Sequence, residues 1–361
     1  MKKLNVIILA ALWLTLAGLA WFSPAEDISE SERRKLAQFP EISLENVLGG
    51  DFMTDFEDYT LDQFPMRDTF RQLKALFHYN VLGQKDNNEI YVVDGYAAKL
   101  EYPLNQTSIS NAVEKFNAIY ENYLQDSKVV VSVVPDKGLY MAEENGYPAM
   151  DYEAVFSAIQ EEMPWAEFAD ISDFLSIEDY YRTDTHWRQE KILDAAQRLC
   201  AALGVTAFEE GELAPEAVQR PFYGVYYGQA ALPMGPETMY VMRNEILSGC
   251  TVYNHETGKT TQVYDMDKLD SQDLYDVYLS GAAALLTIEN PAAATDKELI
   301  VFRDSFGSSI IPLMLKDYAV VTVVDTRYIA SELLPSFVDF HGQDVLMLYS
   351  TLVLNNSNSL K

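Results

Sequence analysis

Short segments that are apolar along their whole length alternate with helical segments from Glu89 onward. The clearest of these predicted strands are Val129–Val134, Leu299–Phe302, Ala319–Val324 and Val345–Tyr349. A strand without a polar face must be buried on both sides, which is typical of parallel sheets. Helices between consecutive strands supply that cover. The pattern therefore predicts an α/β fold with a mostly parallel sheet and helices on both faces.

The predicted helices have apolar residues spaced three or four positions apart. They lie at Ser108–Leu124, Tyr152–Glu162, His186–Leu203, Phe306–Leu315 and Ala330–Val338. The segment Pro221–Asp276 departs from this pattern because it is rich in Tyr and Gly. We expect a hairpin within it at Gly249–Val263, turning near Thr257 and Gly258. Residues 221–276 are interpreted as a small β-rich insertion near the mouth of the functional site.

The N-terminus carries an export signal. Met1-Lys2-Lys3 is followed by Leu4–Phe22, a run of 19 residues without a charge. This length is near the lower limit for a membrane-spanning helix, and the two lysines favour a cytoplasmic N-terminus. Cleavage after Gly18-Leu19-Ala20 is the alternative. We expect an uncleaved signal anchor with everything after Ser23 on the extracellular side, or a secreted protein if the leader is cleaved.

These features divide the chain into three predicted parts. Residues 1–22 form the anchor, residues 23–84 form a polar stalk with N-terminal helices, and residues 85–361 form the α/β domain that contains the insertion. The total of 361 residues agrees with one large domain and a smaller appendage.

The composition excludes several classes of function. The chain has 26 Lys and Arg against 55 Asp and Glu, which gives a formal net charge of −29. Nucleic-acid binding is therefore not expected, because no basic patch is available to hold phosphates. Cys200 and Cys250 are the only cysteines, so a cysteine-based metal site is not expected either. In an oxidising environment these two could form one bridge; the alternative is that Cys200 is a small core residue.

The segment around His186 holds the first candidate for catalysis. Asp184 and His186 are two positions apart, so their side chains leave an extended backbone on the same side. A carboxylate placed there can accept from the imidazole Nδ1–H and leave Nε2 free as a base. The alternative is that Asp184 or Thr183 caps a helix that begins here. The remaining histidines are expected to be structural: His78, His255 and His341.

The second candidate is Leu299–Ser309, where an apolar strand runs into a tight turn and then a helix. Ser305 would then lie at the carboxyl end of the sheet, where α/β folds place reactive groups, and the N–H groups of the first helical turn could stabilise an oxyanion. The alternative is a helix cap formed by Asp304 or Ser305. A serine nucleophile needs a base, and His186 is the only candidate with an adjacent orienting carboxylate.

At these residues the chain resembles the SGNH-hydrolase-like O-acetyltransferases of the alginate acetylation type, AlgJ and AlgX, and especially the DHHW family. The shared motifs span nearly the whole chain. They are Glu32–Leu36 with Phe39-Pro40, Asp62–Arg67, Pro135–Lys137, Asp184–Trp187, Arg303–Phe306 and Asp325–Tyr328. Two positions depart from the pattern. Thr185 stands where the name-giving motif has His, and Arg303 stands where many SGNH enzymes have Gly.

The resemblance implies a catalytic triad with Ser305 as the nucleophile, His186 as the base and Asp184 as its orienting partner. Their order is permuted relative to ordinary SGNH esterases, in which Ser comes first. The resemblance also suggests candidates for oxyanion stabilisation or substrate contact, which are Arg327, Lys137, Trp187 and Phe306. For Arg327 and Lys137 the alternative is an ion pair with one of the many acidic residues. No metal and no cofactor is implied.

The activity implied by the resemblance is acyl transfer. Ser305 would take an acetyl group and pass it to a hydroxyl of a cell-surface or exported polysaccharide. A membrane-bound O-acyltransferase partner would supply the acetyl group, which accounts for a membrane tether. One alternative is a carbohydrate esterase or deacetylase with the same triad, which the sequence does not distinguish because only the acceptor differs. Another is a non-catalytic cell-envelope assembly protein, since fold does not determine function.

Overall fold

A computed structural model of the chain describes residues 2–29 and 31–361. Contacts divide the chain into two units. The first comprises the residues up to Ile90 together with Tyr227–Met234, and the second comprises Tyr91–Tyr226 together with Gly235–Lys361. The three-part division drawn from the sequence stays a prediction.

The four apolar strands predicted from the sequence all lie within strands of the central sheet. In chain order the strands are β1 (Ile28–Ser29), β2 (Arg34–Lys35), β3 (Ile90–Val93), β4 (Tyr96–Lys99), β5 (Val129–Val134), β6 (Glu167–Phe168), β7 (Ala214–Phe222), β8 (Glu237–Arg243), β9 (Thr251–Asn254), β10 (Lys259–Gln262), β11 (Leu285–Glu289), β12 (Lys297–Arg303), β13 (Tyr318–Val324) and β14 (Asp344–Ser350).

The α-helices include several of a single turn. They are α1 (Lys2–Phe22), α2 (Leu44–Gly49), α3 (Asp51–Asp62), α4 (Arg67–Asn80), α5 (Gln106–Ile119), α6 (Gly138–Met141), α7 (Tyr152–Glu162), α8 (Leu193–Leu203), α9 (Val225–Ala230), α10 (Glu245–Gly249), α11 (Gly307–Ile310) and α12 (Thr351–Leu354). A π-helical turn, Tyr120–Leu124, extends α5.

The central sheet has eight strands in the order β10-β9-β11-β13-β12-β14-β5-β6. The five strands from β13 to β6 are parallel, whereas β11, β9 and β10 continue the sheet in antiparallel pairs. The predicted mostly parallel α/β fold is confirmed. The predicted hairpin is also present as β9 and β10, and it forms one edge of the central sheet.

Both faces of the sheet are covered, which explains why its strands lack a polar side. Successive residues of β12 belong to different cores. Val301 packs in one hydrophobic cluster with Leu199 of α8, and Ile300 packs in the other with Phe116 of α5 and Val155 of α7. Because β12 lies between β13 and β14, its carboxyl end opens near the middle of the sheet.

Three predicted helices are shorter than expected. The helix predicted from His186 begins only at Leu193, because an antiparallel bridge between Tyr180 and Trp187 closes residues 182–186 into a bent loop and the 3₁₀ turn Gln189–Lys191 follows. The helix predicted from Phe306 is a single α-turn followed by the 3₁₀ turn Ile311–Met314. The helix predicted at Ala330–Val338 is the 3₁₀ turn Ser331–Ser336. Each of the last two contains a proline, which lacks the N–H that would continue an α-helix.

The first unit contains α1, in which the 20-residue segment Lys3–Phe22 is long enough and, on average, apolar enough to cross a membrane. The same properties are typical of a signal sequence.

Farther along the chain, the Asp62 carboxylate accepts from the Arg34 guanidinium at 2.8 Å and from the Ala37 N–H at 2.9 Å. The Arg34 hydrogen bond lowers the pKa of Asp62 to about 2. Two of the motifs that carry the family resemblance are thus bonded to each other.

Cys200 and Cys250 are both buried and free. Cys200 lies in the core on α8, in agreement with the alternative that it is a small core residue. The predicted possibility of a bridge is therefore wrong for this structure. Burial raises the pKa of the Cys200 thiol to about 12, as expected for an unreactive core cysteine.

Candidate active site

Ser305 and His186, which are 119 positions apart in the sequence, meet at the carboxyl end of β12. The Ser305 Oγ lies 2.8 Å from the Nε2 of His186. The Nδ1 of the same ring lies 2.6 Å from Oδ1 of Asp184. A continuous hydrogen-bond chain therefore links a serine hydroxyl through an imidazole to a carboxylate, the order that general-base activation of a serine requires.

Asp184 is buried and held on both of its oxygens. Its Oδ1 also accepts the backbone N–H of His186 at 3.0 Å, and its Oδ2 accepts the N–H of Val225 at 2.8 Å. These bonds orient the carboxylate toward Nδ1 of the ring. The alternative that Asp184 caps a helix does not hold, because α8 begins at Leu193 and Ile192 occupies its N-cap.

The His186 ring is held between two aromatic side chains. Tyr275 stacks on it with ring centroids 3.9 Å apart and planes within 10°, and Phe306 contacts it at 4.9 Å in a tilted arrangement. The Tyr275 hydroxyl is 2.7 Å from Ser309 Oγ, which also accepts from the indole N–H of Trp187 at 2.8 Å. Burial raises the pKa of Tyr275 well above its ordinary value, so its hydroxyl keeps its proton in this network.

The turn that carries Ser305 is held by the residue before it. Asp304 is buried, and its Oδ1 accepts the N–H of Phe306 at 3.0 Å. Its Oδ2 accepts both the N–H and the hydroxyl of Ser350, at 2.7 and 2.6 Å. The turn is therefore bonded to the end of β14. The predicted helix cap by Asp304 or Ser305 is wrong, because Phe306 occupies the N-cap of α11 without a side-chain cap bond. Asp304 instead holds the turn, while the Ser305 hydroxyl faces His186.

The N–H groups of this turn are mostly engaged, contrary to the expectation that they are available for an oxyanion. Those of Phe306, Gly307 and Ser308 donate respectively to Asp304 Oδ1, to the Asp304 carbonyl and to the Ser305 carbonyl. Within residues 2–29 and 31–361, the Ser305 N–H is the one group of this turn without an acceptor. It is the backbone donor best placed for an oxyanion formed on Ser305.

Arg303 packs beneath the same turn, at the position where the sequence departs from the SGNH pattern. It is fully buried, and its guanidinium donates to the carbonyls of Asp304 and Gly281, each at 3.3 Å. Asp325 lies 3.5 Å away. Burial lowers the pKa of Arg303, and the adjacent carboxylates oppose that shift. Gly307 makes this packing possible, because a Cβ there would lie 2.7 Å from Arg303 Cβ.

For Arg327 the alternative to a substrate role was an ion pair with an acidic residue, and the structure shows such a pair with Asp325. Its Nε and a terminal nitrogen donate to the two oxygens of Asp325 at 2.9 and 2.7 Å. The side chain is 19% exposed. Asp325 thus receives Arg327 from one side and the buried Arg303 from another.

The other three candidates for substrate contact are buried. Phe306 packs against the His186 ring, and Trp187 packs against Phe306. Lys137 is 2% exposed, and its Nζ donates to the carbonyls of Ala97 and Arg182 at 2.5 and 3.3 Å. These positions favour support of the site over direct contact with a substrate.

Burial lowers the pKa of Lys137 from its ordinary 10.5 to about 7, although the nearby carboxylates of Asp184 and Glu237 oppose the shift. Between those two values the unfolded chain binds more protons than the folded chain, so the free energy of unfolding rises with pH. We expect an increase of about 1.4 kcal/mol per pH unit above pH 7 that Lys137→Met lacks. Denaturant unfolding of both proteins at pH 7.5 and 8.5 measures it. Parallel pH dependence of the two proteins would contradict the prediction.

Sequence reasoning did not identify several residues that shape the site. Tyr275, Val225 and Glu237 all come from the segment 221–276, which was predicted to lie near the site but without individual roles. Ser350 follows from the pairing of β14 with β12. No local motif marks these residues, because each acts through a contact made in the folded chain. Within the described ranges, no cluster of three or more His, Cys, Asp and Glu side chains could hold a metal.

Comparison with known proteins supports the family resemblance. Residues 173–324 match the family described as DHHW protein. A DHHW family protein from Eubacterium siraeum aligns with a TM-score of 0.63 at 19% identity, over 76% of this chain and 94% of that chain. PatB1 from Bacillus cereus, solved with a sulfonyl adduct, aligns with a TM-score of 0.59 at 15% identity, over 73% of this chain and 95% of that chain.

The O-acetyltransferase domain of Pseudomonas putida AlgJ also aligns, with a TM-score of 0.45 at 12% identity, over 74% of this chain and 92% of that chain. The comparison with curated proteins finds no match. At such identities the alignments with the E. siraeum protein and PatB1 establish a common fold. The family match contains Asp184, His186 and Ser305. The predicted resemblance is therefore confirmed over residues 173–324, which match the DHHW family.

Proposed function

We propose that this protein is an extracytoplasmic O-acetyltransferase that uses Ser305, His186 and Asp184 to acetylate hydroxyls of a polysaccharide. The observation that carries the proposal is the hydrogen-bond chain Ser305–His186–Asp184, with links of 2.8 and 2.6 Å, at the carboxyl end of the central strand. The family match over residues 173–324 supports the same class of chemistry.

The first half of the proposed reaction forms an acetyl-enzyme. Nε2 of His186 takes the proton of the Ser305 hydroxyl while Oγ forms a bond to the acyl carbon of the donor. Asp184 stabilises the imidazolium that results. When the tetrahedral intermediate collapses, the bond to the donor oxygen breaks and His186 returns the proton to that leaving group. The Ser305 N–H is placed to donate to the oxyanion.

The second half runs in reverse with a sugar hydroxyl. His186 takes the hydroxyl proton, the sugar oxygen bonds to the acyl carbon, and the bond to Ser305 Oγ breaks as that oxygen recovers a proton from His186. The products are an O-acetyl sugar and free enzyme. Water in place of the sugar would give acetate, so the exclusion of water distinguishes a transferase from an esterase.

The apolar helix Lys3–Phe22 supports a location at the membrane with the catalytic unit outside. In that position Ser305 could receive acetyl groups from a membrane-bound O-acyltransferase. The strong negative charge of the chain favours a neutral or cationic acceptor over an anionic wall polymer.

The test uses the full-length protein in detergent and measures how the acetyl group is divided between water and a sugar acceptor. We expect 4-nitrophenyl acetate to release 4-nitrophenol and, when neutral oligosaccharides are added, to yield O-acetylated sugar detectable by mass spectrometry. Acetate release that sugar leaves unchanged, with no acetylated product from any acceptor, would instead identify an esterase. An absence of both products would reject acyl-transfer chemistry and favour a non-catalytic role.

A further inference from the structure

The loop that carries Asp184 is bonded to a carboxylate outside the triad. Glu237, the first residue of β8, accepts the N–H of Arg182 through Oε1 at 2.8 Å. Its Oε2 accepts both the N–H and the hydroxyl of Thr183, at 2.8 and 2.9 Å. One half-buried side chain therefore receives three hydrogen bonds from the two residues that precede Asp184.

A second set of hydrogen bonds connects this loop to residues 224–226, whose backbone also donates to the Asp184 carboxylate. Thr183 Oγ accepts the N–H of Gly224 at 2.9 Å, and the Thr183 carbonyl accepts the N–H of Tyr226 at 2.9 Å. Val225, which lies between them, donates its N–H to Asp184 Oδ2. The two segments approach so closely that a Cβ on Gly224 would lie 2.2 Å from the Thr183 backbone.

The hydrogen bonds form a connected path. Glu237 holds Thr183, Thr183 holds the backbone of 224–226, and that backbone donates to Asp184. From the opposite side, the Nζ of Lys137 donates to the Arg182 carbonyl. The peptide group between Arg182 and Thr183 is thus held at both its carbonyl and its N–H end. Glu237 forms no hydrogen bond to Ser305 or His186 among the described residues.

We propose that Glu237 is a positioning residue that holds Asp184 in the geometry needed to orient His186. This inference rests on the proposed function, because it assigns Glu237 a role in the same reaction. Catalysis by such a chain is sensitive to displacement, since a misplacement of about 1 Å can cost about 100-fold in rate. Glu237 acts through Asp184, and it does not contact the reacting atoms.

Glu237 makes this arrangement complete because its carboxylate oxygens accept hydrogen bonds from three donors. In Glu237→Gln one oxygen becomes an NH₂ group, which must face an N–H of Arg182 or Thr183. Where the buried Thr183 N–H loses its partner, the unsatisfied donor favours a displaced loop.

The experiment compares Glu237→Gln with Glu216→Gln in the full-length protein. Glu216 lies on β7, in the same strand pair, but it is exposed and forms an ion pair with Arg243. We expect Glu237→Gln to lower kcat for 4-nitrophenyl acetate by about 10- to 100-fold with KM within twofold of wild type. Glu216→Gln should keep kcat within twofold. Thr183→Val, which cuts the same path one bond further on, should repeat the loss if Glu237→Gln fails to fold.

A double variant separates positioning from general destabilisation. If Glu237 acts through Asp184, then Glu237→Gln should add less than twofold to the loss already caused by Asp184→Asn. The downfield NMR resonance of the His186 Nδ1 proton should also shift or broaden in Glu237→Gln. Wild-type kcat in the folded Glu237→Gln or Thr183→Val protein, or an additive loss in the double variant, would overturn the inference.

The proposed function fails separately from this inference. Hydrolysis that survives in Ser305→Ala would reject the triad whatever Glu237 does. Loss of activity in Ser305→Ala together with normal kcat in Glu237→Gln would reject only the positioning role.

Discussion

Ser305→Ala is expected to lower the rate of 4-nitrophenyl acetate turnover by about 10⁴-fold or more, to a level near that of the uncatalysed reaction in buffer. The reason is that, in the proposed reaction, the acyl group forms its covalent bond with Ser305 Oγ, the hydroxyl that lies 2.8 Å from Nε2 of His186. Mass spectrometry of the wild-type protein mixed with the ester should show one added acetyl group, which the variant lacks.

The matched control is Ser308→Ala, which makes the same change three residues further along the chain. Ser308 is buried in α11, so the loss of its hydroxyl tests folding and packing without removing the reacting oxygen. We expect this control to keep at least half of the wild-type rate. Equal activity in Ser305→Ala and wild type would show that the serine is not the nucleophile.

Asp184→Asn is expected to lower kcat by about 10²- to 10⁴-fold while KM changes little. The carboxylate accepts from the Nδ1 and the backbone N–H of His186 and from the N–H of Val225. An amide can replace only part of these acceptors, and its NH₂ group would face one of the donors. The ring would then turn or take the tautomer in which Nε2 carries the proton, which cannot accept the proton of Ser305.

Asp173→Asn provides the control for this substitution, because Asp173 is exposed and belongs to a short turn away from the triad. Its kcat should stay within twofold of wild type. The measurement is steady-state hydrolysis of 4-nitrophenyl acetate, with circular dichroism to verify folding of both proteins. A kcat for folded Asp184→Asn within threefold of wild type would contradict the orienting role of Asp184.

The parallel core of the fold could be predicted from the sequence because its signals are local. β5 covers Val129–Val134 and α7 covers Tyr152–Glu162, both with the bounds that the sequence pattern predicts. Each apolar run must be covered on both faces, and this requirement allows few arrangements other than a layered α/β sheet. The hairpin near Thr257 and Gly258 has an equally local turn signal.

The helix expected from His186 is the informative error. Its apolar spacing continues correctly from Ile192 to Leu203, but the residues before it form a bent loop closed by the bridge between Tyr180 and Trp187. That bridge depends on contacts that no helical pattern records. The error matters for function, because Asp184 and His186 lie in this bent loop and not in the extended backbone that their spacing suggested. There the backbone N–H of His186 donates to Asp184 Oδ1, which is also 2.6 Å from Nδ1 of the ring.

The sequence by itself determined which residues could carry the chemistry. It placed Asp184 two positions before His186 and Ser305 directly after a buried strand, because both relations depend on spacing along the chain. Only the tertiary structure decided that Ser305 and His186 lie 2.8 Å apart, that Tyr275 stacks on the imidazole and that Glu237 holds the loop. The physical reason is that these contacts join segments from separate elements, and their geometry is set by how those elements pack around the sheet.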